Sequence, residues 1–287
     1  MQMDLFTHLF YRLGIRDSLL FVLGFKPLQV DNSDHSGRRW GLSFTKQVVL
    51  LTFVLRRKEW DVVREAILVL LGDKRRQGYV DLGIRPAQSV RSHTLNLVDL
   101  FEFVAQIKGW DSPQYRHRIA LGKLIALIHD FCEARGSEES IVRVGENRPF
   151  LLAERIEQQR ATIRPLTPQE DYERLMGEFG VERRRLLFVL ASMGTSSLLT
   201  RGVMWCFERY YHQDTPESRL VGQLHHLETV LTAGAYERRH GFFREGRGAD
   251  PFFTLRELVV TDSDVRALFD RARRREETAL PFSLRIS

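Results

Sequence analysis

The residues best placed to do chemistry lie in Leu127-Ile128-His129-Asp130-Phe131-Cys132-Glu133, at the end of an apolar run through Leu121, Leu124 and Ile125. A core helix rarely carries two neighbouring polar groups of metal-ligand type unless something satisfies them. A divalent metal would satisfy both. Adjacent helical residues point about 100° apart, so one ion touching both requires a helix end or an unwound turn there. Glu133 follows Asp130 by three and His129 by four, which keeps it on the same side. Two more imidazoles come from distant segments, His93 and His225. Together, His93, His129, Asp130 and His225 offer enough donors for one divalent ion. Mixed imidazole and carboxylate donors suit Mn, Fe, Co, Ni or Zn better than Ca.

These residues need elements to carry them. Apolar spacing near 3.6 predicts helices over about 44–56, 60–71, 113–129, 150–161, 168–178, 181–192 and 200–211, then from 216 onward and over 262–275. Ser92 is read as the N-cap of a further helix running to Ile107 through Leu97, Leu100, Phe101 and Val104, which puts His93 in its first turn. Thr167-Pro168-Gln169-Glu170 has the cap, the proline and the acidic third residue of a helix start, and Thr215-Pro216-Glu217-Ser218 repeats the pattern. The helix from 216 has an apolar stripe (Leu220, Val221, Leu224, Leu227, Val230, Leu231) interrupted by His225, His226 and Glu228. His226 is expected at the surface, flanking that seam. No stretch alternates convincingly with period two, so the predicted class is all-α. The sequence divides into a helical N-terminal extension over 1–58, a central unit over 59–245 and a C-terminal extension over 246–287 with a loose end.

The remaining features bound the possibilities. The chain has 287 residues, 43% hydrophobic and 28% charged, which is ordinary for a globular protein. Cys132 and Cys206 give no disulfide framework, which points to a reducing compartment; the expectation is cytoplasmic, with mitochondrial as the alternative. No apolar run approaches the ~18–20 residues of a membrane span. The net charge of +6 comes from scattered arginine clusters such as Arg183-Arg184-Arg185; solvated helix faces are the simpler reading, and nucleic acid is the weaker one. Trp205, Phe207, Tyr210 and Tyr211 are expected to pack a core, and Cys132 to be a small buried filler.

The order of these blocks resembles the HD superfamily of metal-dependent phosphohydrolases and, within it, the HD-domain 5′-deoxynucleotidases. The resemblance runs over about 60–240. It rests on Gln77-Gly78-Tyr79-Val80 with Gly83-Ile84, Ser89-Val90-Arg91-Ser92-His93, the His129-Asp130 block, and Thr215 to Glu228 continuing to Ala235-Tyr236-Glu237. It implies an HD-domain helical bundle holding one divalent ion (Mn, Co, Fe, Mg or Zn) on His93, His129, Asp130 and the residue at 225. It also implies Glu133 as the acidic residue that orients the attacking water, and Glu138 at the nucleotide sugar. The implied substrate is a (deoxy)nucleoside 5′-monophosphate, and the implied assembly is a homodimer. His225 stands where the family pattern has aspartate, Leu82 lies near a position where relatives often carry arginine, and Ser92-His93 replaces Glu-His. Arg85 and Arg91 are the candidates to balance phosphate charge. The alternative is an HD fold that has lost turnover and binds a nucleotide, RNA or protein.

Overall fold

A computed structural model describes residues 58–76, 79, 84, 86–112, 115–134, 165–240, 249–276 and 280–286. The helices expected over 44–56 and 150–161, together with Arg85 and Glu138, lie outside the described residues. The fold is all-α, as predicted. Eight α-helices are described: α1 Lys58–Gly72, α2 Val90–Ile107, α3 Arg116–Ile128, α4 Pro168–Ser192, α5 Ser197–His212, α6 Pro216–His240, α7 Asp250–Arg256 and α8 Ser263–Arg273. A 3-10 turn, Phe131–Ala134, follows α3. The extended pairing among the described residues is one isolated antiparallel bridge, Arg75 with Ser89. No described helix is long and apolar enough to cross a membrane.

Helix α6 is the axis of the structure. Leu220, Val221, Leu224, Leu227, Val230, Ala233 and Tyr236 are buried, and so are Ser218, His226, Glu228, Thr229 and Thr232. A helix buried on all sides has to be surrounded by others, and α2, α3, α5, α7 and α8 pack around it. Its polar residues are therefore interior groups that need partners. Helices α2 and α3 pack closely against each other, and glycine makes this possible at one point. A Cβ on Gly122 would fall 1.8 Å from Phe101 Cζ, so no larger residue fits unless the ring moves.

Several local expectations change. Helix α2 starts at Val90 rather than after Ser92, because Ser89 is the cap and its hydroxyl accepts from Ser92 N at 3.0 Å. The two helices expected over 168–178 and 181–192 form one, α4. Gly177 and Gly180 lie within it, and glycine within a helix costs only about 1 kcal/mol. Buried Leu175, Leu186, Val189 and Leu190 hold both halves to the same core. The Thr167–Glu170 capping box forms as read, and Asp262 caps α8.

The C-terminal residues are not loose. Val265 and Phe269 of α8 and Phe253 of α7 are buried in the common core. Residues 280–286 run as an extended strap whose alternate side chains, Leu280, Phe282, Leu284 and Ile286, pack against that core. Asn96 fixes the strap by accepting from Arg285 N at 2.9 Å and donating to Arg285 O at 3.1 Å. Tyr236 OH donates to Ile286 O at 2.9 Å.

Candidate metal centre

Three helices deliver the imidazoles. His93 is on the first turn of α2, one turn before buried Leu97, so the packing of α2 turns it inward. His129 is the C-cap of α3, and Asp130 follows in the turn. The helix therefore stops between two neighbouring donors, which lets both face one point. His225 comes from the middle of α6. Among the described residues, His93, His129 and His225 form a group whose donor atoms all lie within 4.8 Å of one another.

The hydrogen bonds at the back of each ring determine what the front presents. His129 Nδ1 lies 2.7 Å from Ala126 O, and a carbonyl only accepts, so Nδ1 carries the proton. His93 Nδ1 lies 2.6 Å from Glu228 Oε2 and donates to that carboxylate. In the neutral rings, both Nε2 atoms are then left with lone pairs. They lie 3.3 Å apart, and Asp130 Oδ2 lies 3.0 Å from His129 Nε2 and 3.6 Å from His93 Nε2. Three electron-rich atoms this close need a cation between them. Donors about 2.0–2.2 Å from one ion stand about 2.8–3.6 Å apart, from octahedral to tetrahedral angles, so the observed edges fit a single coordination sphere.

The electrostatics of the cluster show the same demand for positive charge. Burial alone would lower the His129 pKa, but the Asp130 carboxylate reverses this and raises it. Burial opposes ionisation of Asp130, yet the neighbouring His129, His93 and Arg76 hold its carboxyl down to about 2. His225 is held well below its ordinary value by burial and by the two other imidazoles, so it offers a neutral ring.

Two groups that the sequence did not single out shape the site. Glu228 is fully buried, and five donors converge on it. Oε1 accepts from Gln88 Nε2 at 2.8 Å, Asn96 Nδ2 at 3.2 Å and Thr232 Oγ1 at 2.9 Å. Oε2 accepts from His93 Nδ1 and from Arg76 Nη1 at 2.9 Å. Burial disfavours the carboxylate, yet His93 and Arg76 keep it ionised well below the usual range. A carboxylate behind a ligating histidine fixes its orientation and raises its basicity. Arg76 also donates to Gln88 Oε1 at 3.1 Å and Thr229 Oγ1 at 3.3 Å, and its charge reaches Asp130 and Glu133. The bridge at Arg75 brings it there, since Arg76 N donates to Gln88 O at 2.9 Å.

The other candidates separate. Glu133 sits in the 3-10 turn, its backbone N donating to Asp130 O at 2.9 Å. Burial of the surroundings, then the Asp130 and Glu182 carboxylates, push its carboxyl up to about 8. Its side chain is nonetheless exposed, and contact with water offsets part of that rise. Arg91 is not brought to the site. It lies two residues before His93, about 200° around α2, and is exposed with its Cδ beside Gly72. His226 is not a surface residue: it is buried, with Nε2 2.9 Å from Asp171 Oδ2. Tyr210 and Cys132 are buried as read, Tyr210 with its ring 5.1 Å from that of His129.

Comparison of the chain with protein-family profiles, curated proteins and solved structures found no match.

Proposed function

We propose that this protein is a metal-dependent phosphohydrolase of HD type that removes the 5′-phosphate from (deoxy)nucleoside monophosphates. The observation that carries this reading is the clustering of His93 Nε2, His129 Nε2 and Asp130 Oδ2 at 3.0–3.6 Å, with both Nδ1 atoms tied back. His93, His129, Asp130 and His225 would hold one divalent ion. Such an ion supplies Lewis-acid polarisation of a phosphoryl oxygen and makes water acidic enough to ionise near neutral pH.

The chain supplies the rest. Glu133, exposed three residues after Asp130, would orient the attacking water and, in its ionised form, accept a proton from it. Arg76 balances phosphate charge from the Glu228 side, a role that Arg91 cannot take from the far side of α2. Glu228 keeps the His93 ring aimed. Histidine at 225 is compatible with turnover, because imidazole binds the same divalent ions as carboxylate does, and an ion such as Mn, Fe or Co that takes more than four donors would keep a position for water beside these four.

The test is elemental analysis of the purified protein, together with phosphate release from deoxynucleoside monophosphates in Mn or Co. One bound ion per chain and metal-dependent release, abolished in His129→Ala, are expected. Absence of both metal and release sinks the reading. His225→Asp is expected to retain activity while His225→Ala loses most of it; equal rates in both would remove His225 from the ligand set.

A further inference from the structure

Arg256, the last residue of α7, is half-buried and has no counter-ion among the described residues. Its Nη1 donates only to Phe252 O, at 3.3 Å, and its Nε is buried with no hydrogen-bond partner. Among the described residues, no carboxylate lies within ion-pair distance of it. Asp171 is the acid whose charge reaches it, but Oδ2 of that carboxylate faces His226 and Oδ1 accepts from Arg174 at 3.0 Å. The other charges reaching Arg256 include two of its own sign, Arg76 and Arg174. Burial, and then these two cations, pull its pKa down to about 10. A half-buried guanidinium with its Nε shut off from any acceptor, no carboxylate on it among the described residues and like charge nearby favours an anion in the space it faces.

The position of this group gives it a purpose. A continuous stack links it to the histidine cluster. The Arg76 guanidinium lies 5.2 Å from the Tyr79 ring centre, Tyr79 stacks on Phe252 at 5.8 Å, and Arg256 lies 5.8 Å from Phe252. At one end of the stack, Arg76 bonds the carboxylate that orients His93. On the Arg256 side, Arg174, whose charge reaches Arg256, has a side chain 48% exposed. The planar guanidinium fork matches phosphate oxygens in pairs.

We propose that Arg256, with Arg174 and Arg76, forms an anion subsite flanking the histidine cluster that holds a second phosphate group of the substrate. This rests on the phosphohydrolase reading and widens its substrate class to nucleotides carrying two or more phosphates.

The full-length protein is titrated calorimetrically with orthophosphate and with pyrophosphate, its metal content being checked before and after. Pyrophosphate is expected to bind about tenfold more tightly or better. Arg256→Gln is expected to bring the ratio of the two affinities close to one, and Arg256→Lys, which keeps the charge, to retain most of the preference. Equal wild-type affinities, or an unchanged ratio in Arg256→Gln, overturn the proposal. The wild-type comparison alone decides the case if Arg256→Gln does not fold. Phosphate release from nucleoside monophosphates is followed in parallel. Release without a pyrophosphate preference defeats the subsite alone; an Arg256-dependent preference without release defeats the phosphohydrolase reading alone.

Discussion

Helix α6 takes part in two buried histidine–carboxylate pairs that lead to different ends. In one it supplies the acid: Glu228 holds His93 Nδ1 at 2.6 Å. In the other it supplies the imidazole: His226 Nε2 lies 2.9 Å from Asp171 of α4. Each pair has an arginine on the same carboxylate, Arg76 in the first and Arg174 in the second. The difference lies at the other ring nitrogen. His93 Nε2 faces His129 Nε2 and Asp130, whereas His226 stays outside the three-histidine group. Burial and the cations Arg256 and Arg174 lower the His226 pKa despite Asp171. A carboxylate partner therefore orients an imidazole in both places. Only the convergence of further donors turns one of them into a candidate ligand.

The largest effect expected from breaking this contrast is that of Glu228→Ala. It strands Arg76 and His93 in the interior, and removing one partner of a buried pair costs about 3–5 kcal/mol. Denaturation should show that loss, and elemental analysis should show the metal gone. The pH dependence has a definite sign. The Glu228 pKa is lowered by folding, so its stabilising contribution is complete above the unfolded value of about 4.3 and is lost as the pH falls toward the folded value. The stability gap between wild type and Glu228→Ala should narrow in acid.

Removing residues 280–287 should come next. It uncovers the apolar face under Leu284 and Ile286 and takes from Gln88 and Asn96 their bonds to Arg285 O, at 2.8 and 3.1 Å, a loss of about 2–4 kcal/mol. Because Gln88 and Asn96 also hold Glu228, metal affinity should fall with stability; full metal affinity in the truncated chain would mean that the strap only covers the core.

Asp171→Asn tests the other pair. It should cost about 1–3 kcal/mol and leave metal content at one ion per chain. Metal loss in this variant would erase the distinction between the two pairs. The smallest effect is expected of Ser89→Ala, which removes the cap of α2 at a cost of about 1 kcal/mol. It should weaken metal binding only slightly, through the first turn that carries His93.

Much of the fold was legible in the sequence because helices write their period locally. The stripes of α2 and α6 and the Thr167 box needed no tertiary information. The break expected inside α4 does not form, because packing of Leu175 and Leu186 holds both halves to one core. The strap escaped notice because four alternating apolar residues, Leu280 to Ile286, are too few to stand out without the surface they cover. Glu228 looked like an interruption in an apolar stripe. Its five donors come from Arg76, Gln88, His93, Asn96 and Thr232, and only Thr232 is on the same helix.

The sequence by itself determined the class of structure and pointed to His93, His129 and His225, which the fold brings into one group, because helix periodicity and side-chain chemistry are properties of residue type and short spacing. Tertiary structure decided which way those donors face, that Arg76 and not Arg91 stands at the site, and that Arg256 has no counter-ion among the described residues. These are matters of partners up to 153 residues apart, and whether a buried charge is satisfied depends on what the folded chain brings within a few ångströms of it.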